Sequence, residues 1–186
     1  MRTAAALLLL LALAPRPVAA RAVAGVDLPD SAVVEGKTLV LNGAGLRTRY
    51  FFKVYVVGLY LERPATDAAA ILGSDSIRRA HLHILRSLSG DEIGSAIRTA
   101  FEQNAGDAMP RLQDRLKRLE SMFPAVDAGD TIVLTYLPGR GTEVVAKREQ
   151  KGMIDGKDFA DALFAVWIGA KPVDPELKTA LLAGGR

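Results

Sequence analysis

The strongest constraint on the fold is a long β-prone run at residues 50–61, which reads YFFKVYVVGLYL. Aromatic and β-branched residues fill most of this run, and these residue types favour strands. Both of its alternating faces are largely apolar, and Lys53 is its only charged residue. The pattern therefore predicts a central strand that is covered on each side and ends before Pro64.

The remaining patterns predict strands grouped around a block of helices. Ser89 stands three residues before Glu92, which is the spacing of a helical capping box. Because the strands surround the helices instead of alternating with them, the order favours the α+β class, with an antiparallel sheet. Further strands are expected at residues 33–41, 80–85, 131–137 and 142–147, turns at 35–37, 42–45 and 138–141, and helices at 93–101, 112–123, 158–168 and 172–182.

The N-terminus has the pattern of a secretory signal. Arg2 precedes an unbroken Ala/Leu stretch at residues 4–14, which is too short to span a bilayer. Pro15 and small residues follow, with small-x-small cleavage options that end between residues 20 and 24. We therefore expect residues 1–24 to be a cleaved signal peptide, and the protein to be periplasmic or secreted. Residues 25–186 would then form a single domain without a membrane span.

Removing this segment also removes the net charge of the chain. The full sequence has 24 Lys+Arg and 21 Asp+Glu, but residues 1–24 contain three arginines and no acid. The remainder is balanced at 21 of each sign, so the charge does not indicate a nucleic-acid partner. The sequence has no cysteine, which excludes disulfides and thiol chemistry.

Motifs for catalysis or metal binding are weak. The sequence has no G-x-S-x-G motif, no P-loop and no G-x-G-x-x-G fingerprint. His81 and His83 share one strand face, but no third metal ligand is evident nearby. Asp127 and Asp130 flank a glycine, and a turn explains them better than a calcium loop. We therefore predict no metal and no cofactor.

The residues around Arg47 form the most distinctive polar group. If the long strand extends back regularly, one face carries Arg47, Arg49, Phe51, Lys53 and Tyr55 and is aliphatic beyond them. Such a face suits a ligand with an acidic head and an apolar tail. The alternative is that Arg47 pairs with a structural carboxylate and Tyr55 belongs to the core.

At these residues the chain resembles the chalcone isomerase family, and in particular its bacterial, signal-bearing chalcone isomerase-like members. The resemblance implies an open-faced β-sandwich: a large antiparallel sheet with a helical layer on one face and a ligand cleft between them. The matching stretches are LNGAGLRT (41–48), FFKVYVVGLYLE (51–62), LSGDEI (88–93) and VWIGAKPVDPELKTALL (166–182).

The resemblance does not imply the plant enzymes' activity. Of their catalytic positions only the arginine is retained here, as Arg47. Tyr55, Ile93, Ala100 and Val166 stand where those enzymes have threonine, tyrosine, asparagine and threonine. The apolar replacements remove the donors and acceptors that the cyclisation needs.

The resemblance to the non-catalytic, fatty-acid-binding branch implies a different role for the same residues. In that branch the arginine and the tyrosine of K-V-Y hold a carboxylate, and they correspond to Arg47 and Tyr55. We therefore expect a small apolar acid as ligand, bound without catalysis. The alternatives are an isomerase of the intramolecular lyase type, acting on an unknown substrate, and a structural or partner-binding protein. The predicted ligand-binding residues are Arg47, Tyr55, Ile93, Ala100, Val166 and Trp167.

Overall fold

A computed structural model describes residues 20–185, and the fold is an antiparallel sheet with helices on one face. Residues 1–19 of the predicted signal lie outside this range, whereas residues 20–23 form a strand. Seven strands form the main sheet in chain order, and a separate two-stranded hairpin precedes them. The strands are β1 (Ala20–Val23), β2 (Val26–Pro29), β3 (Ser31–Val34), β4 (Lys37–Arg49), β5 (Phe52–Leu61), β6 (Arg78–Ile84), β7 (Thr131–Leu137), β8 (Gly141–Ala146) and β9 (Glu149–Ile154). The α-helices are α1 (Ala68–Gly73), α2 (Gly90–Ala105), α3 (Met109–Glu120), α4 (Lys157–Ile168) and α5 (Pro175–Leu181).

The prediction of a central strand with two buried faces is confirmed by β5. Val57, Leu59 and Leu61 point into a large core that the sheet shares with the helices. Val56 and Tyr60 point into a second core on the opposite face. The β1–β2 hairpin covers part of that second face, and the Tyr60 hydroxyl donates a hydrogen bond to the Pro29 carbonyl oxygen at 2.9 Å. None of the helices within residues 20–185 is long and apolar enough to cross a bilayer.

Local sequence signals explain most of the other elements. Ser89 and Glu92 form the expected capping box at the start of α2. The helices predicted at 93–101, 112–123 and 158–168 correspond to α2, α3 and α4, whose apolar stripes are buried in the large core. Asp127 and Asp130 form a turn, in which the Asp127 amide donates to the Asp130 carboxylate at 2.8 Å. The edge strand β9 was not predicted, because its sequence EQKGMI is mostly polar and lacks an apolar alternation.

The predicted turn at residues 42–45 is wrong, because these residues lie inside β4. The chain reverses instead at Tyr50 and Phe51, between the paired residues Arg49 and Phe52. The glycines of this segment allow α5 to pack directly on the strand. A Cβ at Gly43 would lie 2.1 Å from the Ala180 carbonyl oxygen. Glycine is therefore needed here because the backbones of β4 and α5 lie close together, and not because the chain turns.

Asn42 fixes the same contact from inside the sheet. Its side chain is fully buried at an irregularity in the β4–β5 pairing. The side-chain amide donates to the carbonyl oxygens of Leu181 and Ala65, each at 2.8 Å, and its oxygen accepts from the Ala65 amide at 2.7 Å. One buried side chain thus connects β4, the C-terminal turn of α5 and the loop that follows β5.

We expect Gly43→Ala to destabilise the fold, because the new methyl group meets backbone atoms that cannot rotate away. Overpacking of this kind costs about 1–3 kcal/mol, and the clash at Gly43 places it at the upper end of that range. Gly73→Ala is the matched control, because a Cβ there has no neighbour within 4 Å. The control should leave stability unchanged or raise it by up to about 1 kcal/mol. Urea unfolding of both variants measures the difference, and equal stabilities would contradict the close α5–β4 contact.

Candidate ligand cleft

A cleft of about 860 Å³ opens between the sheet and the helices. Its volume lies within the range of about 300–1,000 Å³ that is typical of small-molecule sites. Strands β4 to β7 form one wall, and α2 and α4 form the other. All six residues that the sequence predicted for ligand binding line this cleft: Arg47, Tyr55, Ile93, Ala100, Val166 and Trp167.

Arg47 and Tyr55 lie opposite each other on neighbouring strands. They are direct pairing partners in the β4–β5 ladder, and the register shifts immediately after them. Side chains of such a pair stand on the same face of the sheet. The prediction placed both residues along one extended strand, but the β-hairpin brings them together across the ladder. Phe51 and Lys53, which the same prediction placed on this face, do not line the cleft.

Arg47 already has two protein partners, neither of which was identified from the sequence. Its Nη1 lies 3.3 Å from Oδ2 of Asp174 and also donates to the Thr48 carbonyl oxygen. The other oxygen of Asp174 accepts from the backbone amides of Glu176 and Leu177 and so caps α5. The Asp-Pro-Glu sequence at 174–176 is a helix-start signal that could have identified the cap, but not its arginine.

The ion pair with Asp174 uses only part of the Arg47 guanidinium. Charge-assisted hydrogen bonds are usually about 2.7–2.9 Å long, so the 3.3 Å contact is a loose one. Within residues 20–185, Nε and Nη2 of Arg47 have no hydrogen-bond partner. The Arg47 side chain remains 23% exposed. An anion in the cleft can therefore still be met by two of the three guanidinium nitrogens.

Tyr55 is held by a donor from α4. The Trp167 indole Nε1 donates to the Tyr55 hydroxyl oxygen at 3.0 Å, so the Tyr55 O–H remains available as a donor. Burial raises the pKa of Tyr55 to about 12, although the Trp167 hydrogen bond and the nearby Arg47 act in the opposite direction. The hydroxyl therefore stays protonated at physiological pH. Trp167 positions this donor as well as lining the cleft.

Much of the cleft wall beyond Arg47 and Tyr55 is apolar, although polar residues of α2 also line it. Ile93, Ile97 and Ala100 present one face of α2, and Val166 faces them from α4. The sheet contributes further aliphatic side chains, which the sequence analysis assigned to strands but not to the cleft: Leu82, Ile84 and Ile132. Their place in the cleft could not be predicted from the neighbouring sequence, because strands that line a core and strands that line a cleft have the same apolar pattern.

The other polar candidates lie apart from the cleft. The two histidines do not line the cleft, and burial lowers the pKa of His81. No group of three His, Asp or Glu side chains within residues 20–185 is arranged to hold a metal ion. The charges that do reach the cleft beside Arg47 are Arg49, Arg86, Asp91 and Glu92.

Comparison with known proteins places this fold and cleft in a family. The sequence model of the chalcone isomerase-like family matches residues 20–183. The chain belongs to the chalcone isomerase-like family. No significant match was found among curated protein sequences.

A solved structure confirms the chalcone isomerase-like fold. The crystal structure of a fatty-acid binding protein from Arabidopsis thaliana matches with a TM-score of 0.65 and 18% sequence identity. The match covers 87% of this chain and 93% of that protein. The predicted α+β architecture, with an antiparallel sheet and a helical layer, is therefore correct.

Proposed function

We propose that this chalcone isomerase-like protein binds a fatty acid or a similar apolar acid in the cleft and does not catalyse a reaction. The observation that carries the proposal is the pairing of Arg47 and Tyr55 beside the aliphatic part of the cleft wall. Arg47 offers two unused donors and Tyr55 offers one, while the apolar walls suit a hydrocarbon chain. The fatty-acid binding protein that shares the fold supports the same ligand class.

An isomerase is less well supported by the chemistry of the cleft. A general acid works best with a pKa near the operating pH, whereas the pKa of Tyr55 is about 12. Asp174 is the nearest acid to Arg47, and it is engaged both by Arg47 and by the start of α5. Ile93 and Ala100 supply no hydrogen-bonding side chains. A filled, purely structural cleft is disfavoured by the volume of about 860 Å³.

We expect Arg47→Leu to weaken fatty-acid binding by about ten- to a hundredfold, because a charge-assisted hydrogen bond contributes about 1.5–3 kcal/mol. Tyr55→Phe should cost about tenfold or less, since a neutral donor is lost while the ring remains. Arg49→Leu is the matched control and should have a smaller effect, because Arg49 also lines the cleft but is exposed to solvent and pairs with Phe52 instead of Tyr55. Calorimetric titration of delipidated protein with a long-chain fatty acid measures these affinities. Equal affinity for the acid and its methyl ester would contradict the proposal.

Asp174→Asn tests whether Arg47 serves the ligand or only the fold. The variant removes the charge that competes for Arg47, and asparagine still caps a helix well. Fatty-acid affinity should rise by at least about threefold, because a bound carboxylate no longer meets a like charge. Glu176→Gln is the matched control, since it removes an exposed charge of the same sign from the same helix.

The opposite result would assign Arg47 a structural role. If Asp174→Asn leaves the affinity unchanged and lowers stability, the ion pair exists to hold α5. The double variant Arg47→Leu/Asp174→Asn separates loss of the donor from repulsion by an unpaired Asp174. It should bind the acid more tightly than Arg47→Leu alone.

We further propose that the protein is exported and that its N-terminal signal is removed after Ala20. Val18-Ala19-Ala20 is one of the small-x-small cleavage options. Cleavage there keeps Arg21, Ala22 and Val23, which pair with Leu28, Asp27 and Val26 in the β1–β2 hairpin. Cleavage after Ala24 would delete β1. The intact mass of the exported protein should therefore correspond to an N-terminus at Arg21, and retention of Met1 in a membrane fraction would contradict export.

A further inference from the structure

Three consecutive aromatic residues project from the β4–β5 hairpin. Tyr50 is 82% exposed, Phe51 97% and Phe52 60%. With Val33, they are the only exposed large hydrophobic residues within residues 20–185. We call Tyr50, Phe51 and Phe52 the aromatic tip. Exposing adjacent large apolar side chains to water is unfavourable, and a cluster of them indicates an interaction site.

The turn itself does not require these residues. Tyr50 has a φ of +56°, a backbone conformation that glycine and asparagine adopt far more readily than a bulky residue. Other turns of the same sheet have glycine at such positions, as at Gly36 and Gly139, or polar residues, as at Lys147, but none within residues 20–185 has another aromatic residue there. Left-handed backbone in a residue with a Cβ costs about 1–2 kcal/mol. Folding therefore gives no reason for tyrosine at this position.

Unpaired cations accompany the aromatic tip. Within the described part of the chain, Arg49, Lys53 and Arg86 form no ion pair with a carboxylate. The Arg49 guanidinium lies 5.8 Å from the centroid of the Tyr50 ring, and that of Arg86 lies 5.2 Å from the Phe52 ring. Asp91 and Glu92 stand on the facing lip of the cleft, at the start of α2. The charge beside the tip itself is positive.

The aromatic tip lies at the entrance of the cleft. Tyr50 and Phe52 of the tip also line the cleft, together with the neighbouring Arg49 and Arg86. Phe51 does not line it and points away into solvent. A surface that covered the tip would therefore also face the opening through which a ligand reaches Arg47.

We propose that the aromatic tip docks the protein onto the surface of an anionic phospholipid membrane. Aromatic side chains are favoured at the level of the lipid headgroups, and basic side chains beside them are attracted to anionic headgroups. Docking brings the cleft entrance to the membrane, where an apolar acid partitions from water. The docking proposal depends only on the aromatic tip. The further idea that the protein takes its ligand from the membrane depends on the proposed function.

Co-sedimentation with lipid vesicles tests this docking. The wild-type protein should bind vesicles that contain phosphatidylglycerol more tightly than vesicles of phosphatidylcholine alone, and salt should weaken the binding. Phe51→Ser should weaken it by about tenfold or more, since a whole apolar side chain is removed from the interface. Val33→Ser is the matched control, because it removes an exposed apolar side chain from β3.

Four further variants separate docking from loss of stability and from a nonspecific effect of charge. Tyr50→Asn introduces a residue that tolerates the φ of +56°, so it should weaken vesicle binding without loss of stability. Arg49→Gln and Lys53→Gln should each weaken binding by about fivefold. Arg63→Gln, at the opposite end of β5, should have no comparable effect.

The outcomes distinguish docking from ligand binding and from self-association. Phe51→Ser should retain wild-type affinity for a fatty acid in solution, because Phe51 does not line the cleft. Vesicle binding that is absent, or that is the same in Phe51→Ser and Val33→Ser, would overturn the docking proposal whether or not the fatty acid binds. Sedimentation that shows a dimer lost in Phe51→Ser would likewise overturn it, by identifying a second copy of the chain as the partner.

Discussion

The direct packing of α5 on β4 is the contact on which the polar end of the cleft depends. It exists because Gly43 has no side chain where the Ala180 carbonyl oxygen lies, and because buried Asn42 bonds to the last turn of α5. The same packing places Asp174, the N-cap of α5, against Arg47. A helix that sat farther from the sheet would leave Arg47 without this partner and would change the charge that a ligand meets.

The polar end of the cleft combines a partly satisfied cation with a fixed neutral donor. Asp174 engages one guanidinium nitrogen of Arg47 loosely and leaves two others without a partner among residues 20–185. Trp167 fixes the Tyr55 hydroxyl, whose raised pKa keeps it protonated. This arrangement limits the desolvation cost of burying Arg47 while retaining donors for an anion. Arg47 can therefore serve both roles at once. One of its nitrogens pairs with Asp174 as part of the fold, and the other two can meet the carboxylate of a ligand.

One β-hairpin carries both the polar pair and the aromatic tip. Arg47 and Tyr55 are the last regular partners before the register shift, and the tip begins three residues after Arg47. The shift allows both Val54 and Tyr55 to line the cleft, although adjacent residues of a regular strand point to opposite faces. The hairpin thus joins an exposed aromatic surface to the ligand-contacting residues over a short distance. A change of register here would alter both features together.

The sequence by itself determined the elements whose signals are local: the two-faced apolar strand β5, the capping box of α2 and the helical stripes of α2, α3 and α4. Six of the residues that line the cleft were also predicted from the sequence, through resemblance to a family and not through periodicity. Only the tertiary structure decided why Gly43 is a glycine and which carboxylate meets Arg47. Arg47 and Asp174 are 127 positions apart, and Tyr55 and Trp167 are 112 apart. Such pairs depend on where α4 and α5 settle on the sheet, and that position follows from packing across the whole core.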